Sequence, residues 1–293
     1  MLNHIPQSLA QMSPIPDSRF PIPAPTAFIG GGNMARSLIG ALIRGGAHAK
    51  DIAVAEPDET ARTSLAREFG VATHEHNGDA VAGAETVILA VKPQVMRNVC
   101  AELASALGDA RPLILSIAAG IRLDQMQAWL GAAFPIVRCM PNTPALIGAG
   151  ATGLIANEHA SDAQRERAET ILGAAGRTAW IENEDLMDTV TALSGSGPAY
   201  FFLLVEALED AAVAQGLPRE TARMLASQTC LGAGRMLVEG GEAPGKLRER
   251  VTSPGGTTAA ALAAFDAGGL RELVAKAVAA AADRARELSA RDQ

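Results

Sequence analysis

The chain has 293 residues, 48% of them hydrophobic and 19% charged, with a formal net charge of −7. That balance fits a globular protein of one large or two modest domains with a well-buried core. The four lysines, Lys50, Lys92, Lys246 and Lys276, form no basic patch for nucleic acid; no apolar run reaches the ~18 residues of a membrane span.

Residues 1–25 carry proline at positions 6, 14, 16, 21, 23 and 25. Proline removes a backbone donor and restricts its predecessor, so a disordered Pro-rich extension is expected. It has no basic start plus apolar core of a secretory signal. Cys100, Cys139 and Cys230 form neither a CxxC pair nor a zinc pattern. They read as free thiols of a reducing compartment, and a cytoplasmic protein is expected.

From Thr26 strands alternate with helices. Thr26–Gly30 reads as a strand, Asn33–Arg44 as a helix, Asp51–Glu56 as a strand and Asp58–Phe69 as a helix stopped by Gly70. His74 and His76 fall in a short polar stretch that reads as a solvated loop, and no metal site is expected. Thr86–Val91, Leu113–Ala118, Ile136–Cys139, Gly153–Ile155 and Thr178–Ile181 read as further strands. The alternation predicts a parallel sheet covered on both faces. After Glu184 the strand signal stops. Ala199–Gln215, Thr221–Glu239, Thr258–Phe265 and Gly269–Leu288 read as helices. The predicted organisation is a 26–184 α/β Rossmann-like domain followed by a 185–293 all-α domain. Such pairs usually place the active site in the cleft between domains. The helical domain has long apolar faces, part of which another subunit is expected to cover.

Gly30, Gly32 and Ala35 match G-x-G-x-x-[G/A], directly after a strand and opening a helix. Gly30 permits the tight turn, Gly32 lets backbone approach a pyrophosphate, and Ala35 lets the helix pack on the strand. The helix start offers N–H groups to an anion. Glu56 stands 24 positions after Gly32. An acid there suits the adenosine ribose of NAD and repels the 2′-phosphate of NADP; Arg36 or Arg62 could offset that repulsion. Cofactor preference therefore leans to NADH and stays open. Lys92, at the end of the Thr86–Val91 strand, reads as lining the cofactor cleft. Ser116–Gly120 repeats the pattern of a strand end followed by small residues, leaving room for a nicotinamide ring.

Three later segments remain. Val137–Pro144 reads either as a loop presenting polar groups or as a plain rigid turn. Ser194–Tyr200 precedes a long helix that Ser196 or Gly197 could cap, with Pro198 in its first turn. Val251-Thr-Ser-Pro-Gly-Gly-Thr-Thr258 opens another helix with paired glycines, four hydroxyls and no charge. That combination suits a small carboxylate.

In order, the segments FIGGGNMA, LAVKPQ, SIAAG, RCMPNTP, ALSGSGPAY and VTSPGGTTAAAL resemble the pyrroline-5-carboxylate reductase family over residues 26–290. The resemblance implies reduction of 1-pyrroline-5-carboxylate to L-proline by NADPH or NADH, the last step of proline biosynthesis. It implies cofactor contacts from Gly30 to Ala35 (including Gly32, Asn33 and Met34), from Asn77, from Ala90, Val91, Lys92 and Pro93, and from Ala118, Ala119 and Gly120. Ser253, Gly256, Thr257 and Thr258 would hold the substrate, with Thr258 at the ring nitrogen. It also implies a homodimer through the C-terminal helices, its site shared between subunits, and often a ring of dimers. Ala55-Glu56 departs from the small or polar pair, sometimes with Arg, common in the family. The Pro-rich extension has no counterpart in the family core.

Two other readings compete. A β-hydroxyacid dehydrogenase would need a base for alcohol oxidation, typically a lysine on the helical side, and no lysine occurs between Lys92 and Lys246. A non-catalytic dinucleotide sensor would have no use for the Thr252–Thr258 segment.

Overall fold

The computed structural model describes residues 25–131 and 133–291. Of the Pro-rich extension only Pro25 is among them; the expectation for residues 1–24 lies outside the described residues. Pro25 anchors the start of the fold, its carbonyl accepting the Glu85 and Thr86 N–H groups.

The chain runs β1 (Thr26–Ile29), α1 (Asn33–Arg44), β2 (Ile52–Ala55), α2 (Glu59–Phe69), β3 (Ala72–His74), α3 (Asn77–Val81), β4 (Thr86–Leu89), α4 (Pro93–Leu107), β5 (Leu113–Ser116), α5 (Leu123–Leu130), β6 (Ile136–Met140), β7 (Gly150–Ala156), α6 (Asp162–Gly173) and β8 (Gly176–Trp180). Six helices follow: α7 (Met187–Val190), α8 (Gly197–Ala214), α9 (Arg219–Glu239), α10 (Pro244–Arg250), α11 (Thr257–Ala267) and, last, α12 (Leu270–Arg291); α7 is a single turn leading into α8. Two units result, 25–187 with 287–291, and Asp188–Arg286.

The first unit holds one sheet of order β3-β2-β1-β4-β5-β6-β7-β8. Parallel strands buried on both faces need near-continuous apolar runs, and β1, β4 and β5 supply them, every residue of each being buried. Phe28, Val54, Ile88, Leu115 and Val137 face α1, α2 and α6. Ile29, Val87, Leu89, Ile114 and Ile136 face α3, α4 and α5. Each fully buried Leu, Ile or Phe contributes about 1.5–3 kcal/mol. The helices have local causes too. Asp58 caps α2 by accepting the Ala61 N–H at 2.7 Å, and Gly70 ends it in the left-handed region at φ +70°.

The sheet departs from expectation in two places. β7 runs antiparallel to β6, so the sheet is mixed rather than parallel. The reversal follows from the short Thr143–Ile147 turn, which is too brief for a crossover. The His74 stretch is not a loop, because Ala72–His74 adds an edge strand to β2. Edge strands are short and polar, which hides them from periodicity.

The second unit is all-α. α8 and α9 are its main pair. Three of its helices begin earlier than expected. α8 starts at Gly197, α9 at Arg219 and α11 at Thr257. α10 was not anticipated. Ser196 precedes α8, but its side chain makes no capping bond. It already has helical dihedrals, because a wide turn at Thr191–Gly195 carries α7 directly into α8. No helix among the described residues is long and apolar enough to cross a membrane.

Candidate active site

In a doubly wound sheet, ligands bind outside the carboxyl ends of the strands. Backbone bonds join those ends here. Gly30 N–H donates to Ala55 O at 2.8 Å, Ala90 N–H to Ile29 O at 2.8 Å, and Ile117 N–H to Leu89 O at 3.1 Å. The Gly30–Ala35, Glu56, Ala90–Pro93 and Ala118–Gly120 segments therefore share one sheet edge.

Each glycine of the first turn meets a different constraint. Gly30 has φ +96°, and a Cβ there would lie 2.8 Å from the Ala90 carbonyl oxygen. Gly31 is buried, and its Cβ would lie 2.4 Å from Leu65 Cδ1. Gly32 is exposed, and a Cβ there would meet nothing within 4 Å. Gly32 is also the N-cap of α1 and lacks a capping side chain, while Asn33 and Met34 begin the helix. The first-turn N–H groups thus have no capping side chain to compete with an anion. This cradle fits a pyrophosphate.

Glu56 is half-buried and engaged in a way the sequence does not reveal. Its Oε2 accepts the Gly31 N–H at 2.9 Å, and its Oε1 accepts the Asp58 N–H at 3.1 Å. The two nearby arginines are also committed. Arg36 reaches Glu68 at 2.7 Å, and Arg62 donates to the Glu56 and Pro57 carbonyls at 2.8 and 2.7 Å. Asn77 opens α3, with its amide donating to Glu102 at 2.8 Å. Lys92 is exposed at the N-cap of α4, with Pro93 following as first helical residue. Ala118 is buried, Ala119 exposed, and Gly120 sits at φ +82°. The neighbouring Ser116 hydroxyl is fully buried without a hydrogen-bond partner among the described residues.

The remaining segments resolve individually. Asn142 of the Val137–Pro144 segment holds a turn, its side-chain oxygen accepting the Ala151 N–H at 2.9 Å. In the helical unit, Gly256 is the N-cap of α11 and bonds back to Ser253 O at 3.0 Å. A Cβ on Gly256 would come 2.5 Å from Ser253 Oγ, and Gly255 needs φ +70°. No side-chain cap closes this helix start. Its first backbone bond is Ala260 N–H to Gly256 O, leaving the N–H groups of Thr257, Thr258 and Ala259 ahead of it. Ser253 and Thr257 are exposed and Thr258 half-buried. The arrangement is a small polar turn at a helix N-terminus, which suits a carboxylate. Among the described residues, no group of three or more His, Cys, Asp or Glu could hold a metal.

A β3-β2-β1-β4-β5 parallel order with a glycine turn between β1 and α1 defines the Rossmann class of α/β fold, here joined to a helical unit. A family model described as pyrroline-5-carboxylate reductase dimerisation matches residues 184–288, and one described as coenzyme F420-dependent NADP oxidoreductase matches residues 25–120. The chain is 51% identical over 263 residues to the pyrroline-5-carboxylate reductase of Pseudomonas aeruginosa, covering 90% of this chain and 96% of that protein. The solved pyrroline-5-carboxylate reductase of Coxiella burnetii superposes with a TM-score of 0.88 at 44% identity, covering 90% of this chain and 98% of the other. The Plasmodium falciparum pyrroline carboxylate reductase, solved with NADP bound, has a TM-score of 0.80 at 26% identity, covering 92% and 100%. The chain belongs to the pyrroline-5-carboxylate reductase family.

Proposed function

We propose that this protein reduces 1-pyrroline-5-carboxylate to L-proline with NADH or NADPH. The observation that carries this reading is the likeness to the Pseudomonas aeruginosa reductase over 263 residues, which spans both units and not the Rossmann unit alone. Gly30, Gly32 and Asn33 to Ala35 hold the cofactor pyrophosphate. Glu56, Asn77, Ala90 to Pro93 and Ala118 to Gly120 complete its contacts, and the Glu56 charge favours NADH by repelling a 2′-phosphate. When bound, the nicotinamide supplies the hydride.

Ser253, Gly256, Thr257 and Thr258 hold the substrate. The first-turn N–H groups of α11 take the carboxylate. Protonation of the ring nitrogen makes its carbon electrophilic. The Thr258 hydroxyl is a poor general acid at neutral pH, so it orients that nitrogen rather than protonating it. Imine reduction needs no base to remove a proton, consistent with the absence of lysine between Lys92 and Lys246.

The protein works as a homodimer through its helical unit, and dimers assemble into a ring. Phe201, Phe202 and Leu203 of α8 are 59%, 68% and 66% exposed, and Leu273 of α12 is 62% exposed. Exposed large apolar side chains on these helices support a subunit interface there. The three free cysteines suit the cytoplasm.

The deciding assay follows loss of NADH or NADPH absorbance with pyrroline-5-carboxylate and identifies proline as product. Oxidation of β-hydroxyacids in the reverse direction would point to the dehydrogenase reading. Binding of the nucleotide without turnover of either substrate would point to a sensor.

A further inference from the structure

We propose that Glu56 is a positioning residue for the cofactor loop, acting through the Gly31 amide rather than only through the ribose. The inference rests on the proposed nucleotide site. Gly31 is the middle of three consecutive glycines, a sequence with no intrinsic preference for one backbone path. Its conformation must be imposed from outside. Two groups do so. Leu65 of α2, with no exposed surface, packs against Gly31 from one side. Glu56 Oε2 holds its N–H at 2.9 Å.

The carboxylate is itself fixed. Oε1 accepts the Asp58 N–H, and the Glu56 main chain is held by His74 O and by Arg62. The bond therefore ties the glycine turn to the β2–α2 junction. It removes one N–H from the loop and leaves the exposed Gly32 and the start of α1 for the anion. A hydrogen bond to a charged group contributes more than a neutral one. Because the pyrophosphate is common to NADH and NADPH, loss of the clamp weakens both alike. Repulsion of a 2′-phosphate would instead separate them.

Two substitutions divide the effects. Glu56→Gln removes the charge but keeps an oxygen able to accept the Gly31 N–H. Glu56→Ala removes both. Dissociation constants for NADH and NADPH are read by nucleotide fluorescence, and amide exchange is followed over residues 30–33 in the free protein. The Ala variant should bind each nucleotide about tenfold more weakly than the Gln variant, and its loop should exchange faster. Equal binding by the Gln and Ala variants would overturn the clamp. So would a difference between them confined to one nucleotide. Wild-type protein that binds neither nucleotide, while loop exchange still depends on Glu56, would overturn the cofactor reading. The bond would then have no cofactor role.

Discussion

The Arg138 guanidinium and the Glu184 carboxylate meet at 2.8 Å, with 4% and 14% of the two side chains exposed. The same Glu184 oxygen accepts the Leu123 N–H at 2.9 Å, and Arg122 approaches the other at 3.7 Å. One acid thus ties β6, the start of α5 and the turn ahead of α7.

Breaking such a pair from one side leaves a charge with too little water and too few partners. Arg138→Ala should lower unfolding free energy by about 3–5 kcal/mol. Arg138→Met combined with Glu184→Leu should recover much of that loss, because neither charge remains. Urea unfolding of the two variants checks both statements. A loss below ~1 kcal/mol for Arg138→Ala would mean that water still reaches the pair.

Cys100 offers a second test. Burial pushes its thiol up to about 12, and burial raises Cys139 as well. Both stay neutral in the folded protein at neutral pH and should resist alkylation until it unfolds. Cys230 is only partly covered and should react first. The pH dependence follows from the raised value. Below the ordinary thiol range both folded and unfolded states hold the proton. Above about 9 the unfolded chain loses it while the folded one keeps it, so stability falls as pH rises toward 12. Cys100→Ala should flatten that alkaline decline by up to ~1.4 kcal/mol per pH unit, measured by denaturant titrations between pH 8 and 10.5. An unchanged slope would assign the alkaline decline to other groups.

The exposed face of α8 makes a third prediction. Phe202→Glu places a charge at a side chain 68% exposed in the single chain. If that face is a subunit interface, sedimentation should show monomers at concentrations where the wild type is dimeric. A concentration-independent monomer for the wild type would remove the dimer.

How far these features were legible depended on whether the cause was local. Asn33–Arg44 was readable to the residue, because Gly32 opens it and Gly45 closes it. Asp58 and Gly70 marked α2 within one residue. Ala72–His74 was not readable, since three half-polar residues show no periodicity and are a strand only because β2 lies alongside. The reversal of β7 depended on a five-residue turn whose geometry is set by Asn142 bonding nine positions on. At the site, the glycine spacing located the turn, but the bond from Gly31 to Glu56 joins residues 25 apart and has no sequence signature. Ser196 shows the opposite error. A residue of capping type stands at the right position, yet the helix continues through it.

Thr258 carries the most direct test of the proposed chemistry. It lies in the first turn of α11, half-buried, beside a glycine turn that no side chain caps. In the proposed role its hydroxyl would contribute one neutral hydrogen bond to the substrate, worth about 0.5–1.5 kcal/mol when made and more if the partner is left unsatisfied. Thr258→Ala should therefore lower kcat/KM for pyrroline-5-carboxylate by roughly tenfold to a hundredfold. Nucleotide affinity should stay unchanged, because the proposed cofactor residues lie in the other unit. Thr258→Ser should restore most of the activity, since it keeps the hydroxyl and loses only a methyl. A general acid would reveal itself differently, by a changed pH profile of kcat rather than a uniform loss. If Thr258→Ala retained wild-type kcat/KM, the hydroxyl would have no part in orienting the imine. The carboxylate would then be held by the backbone turn alone.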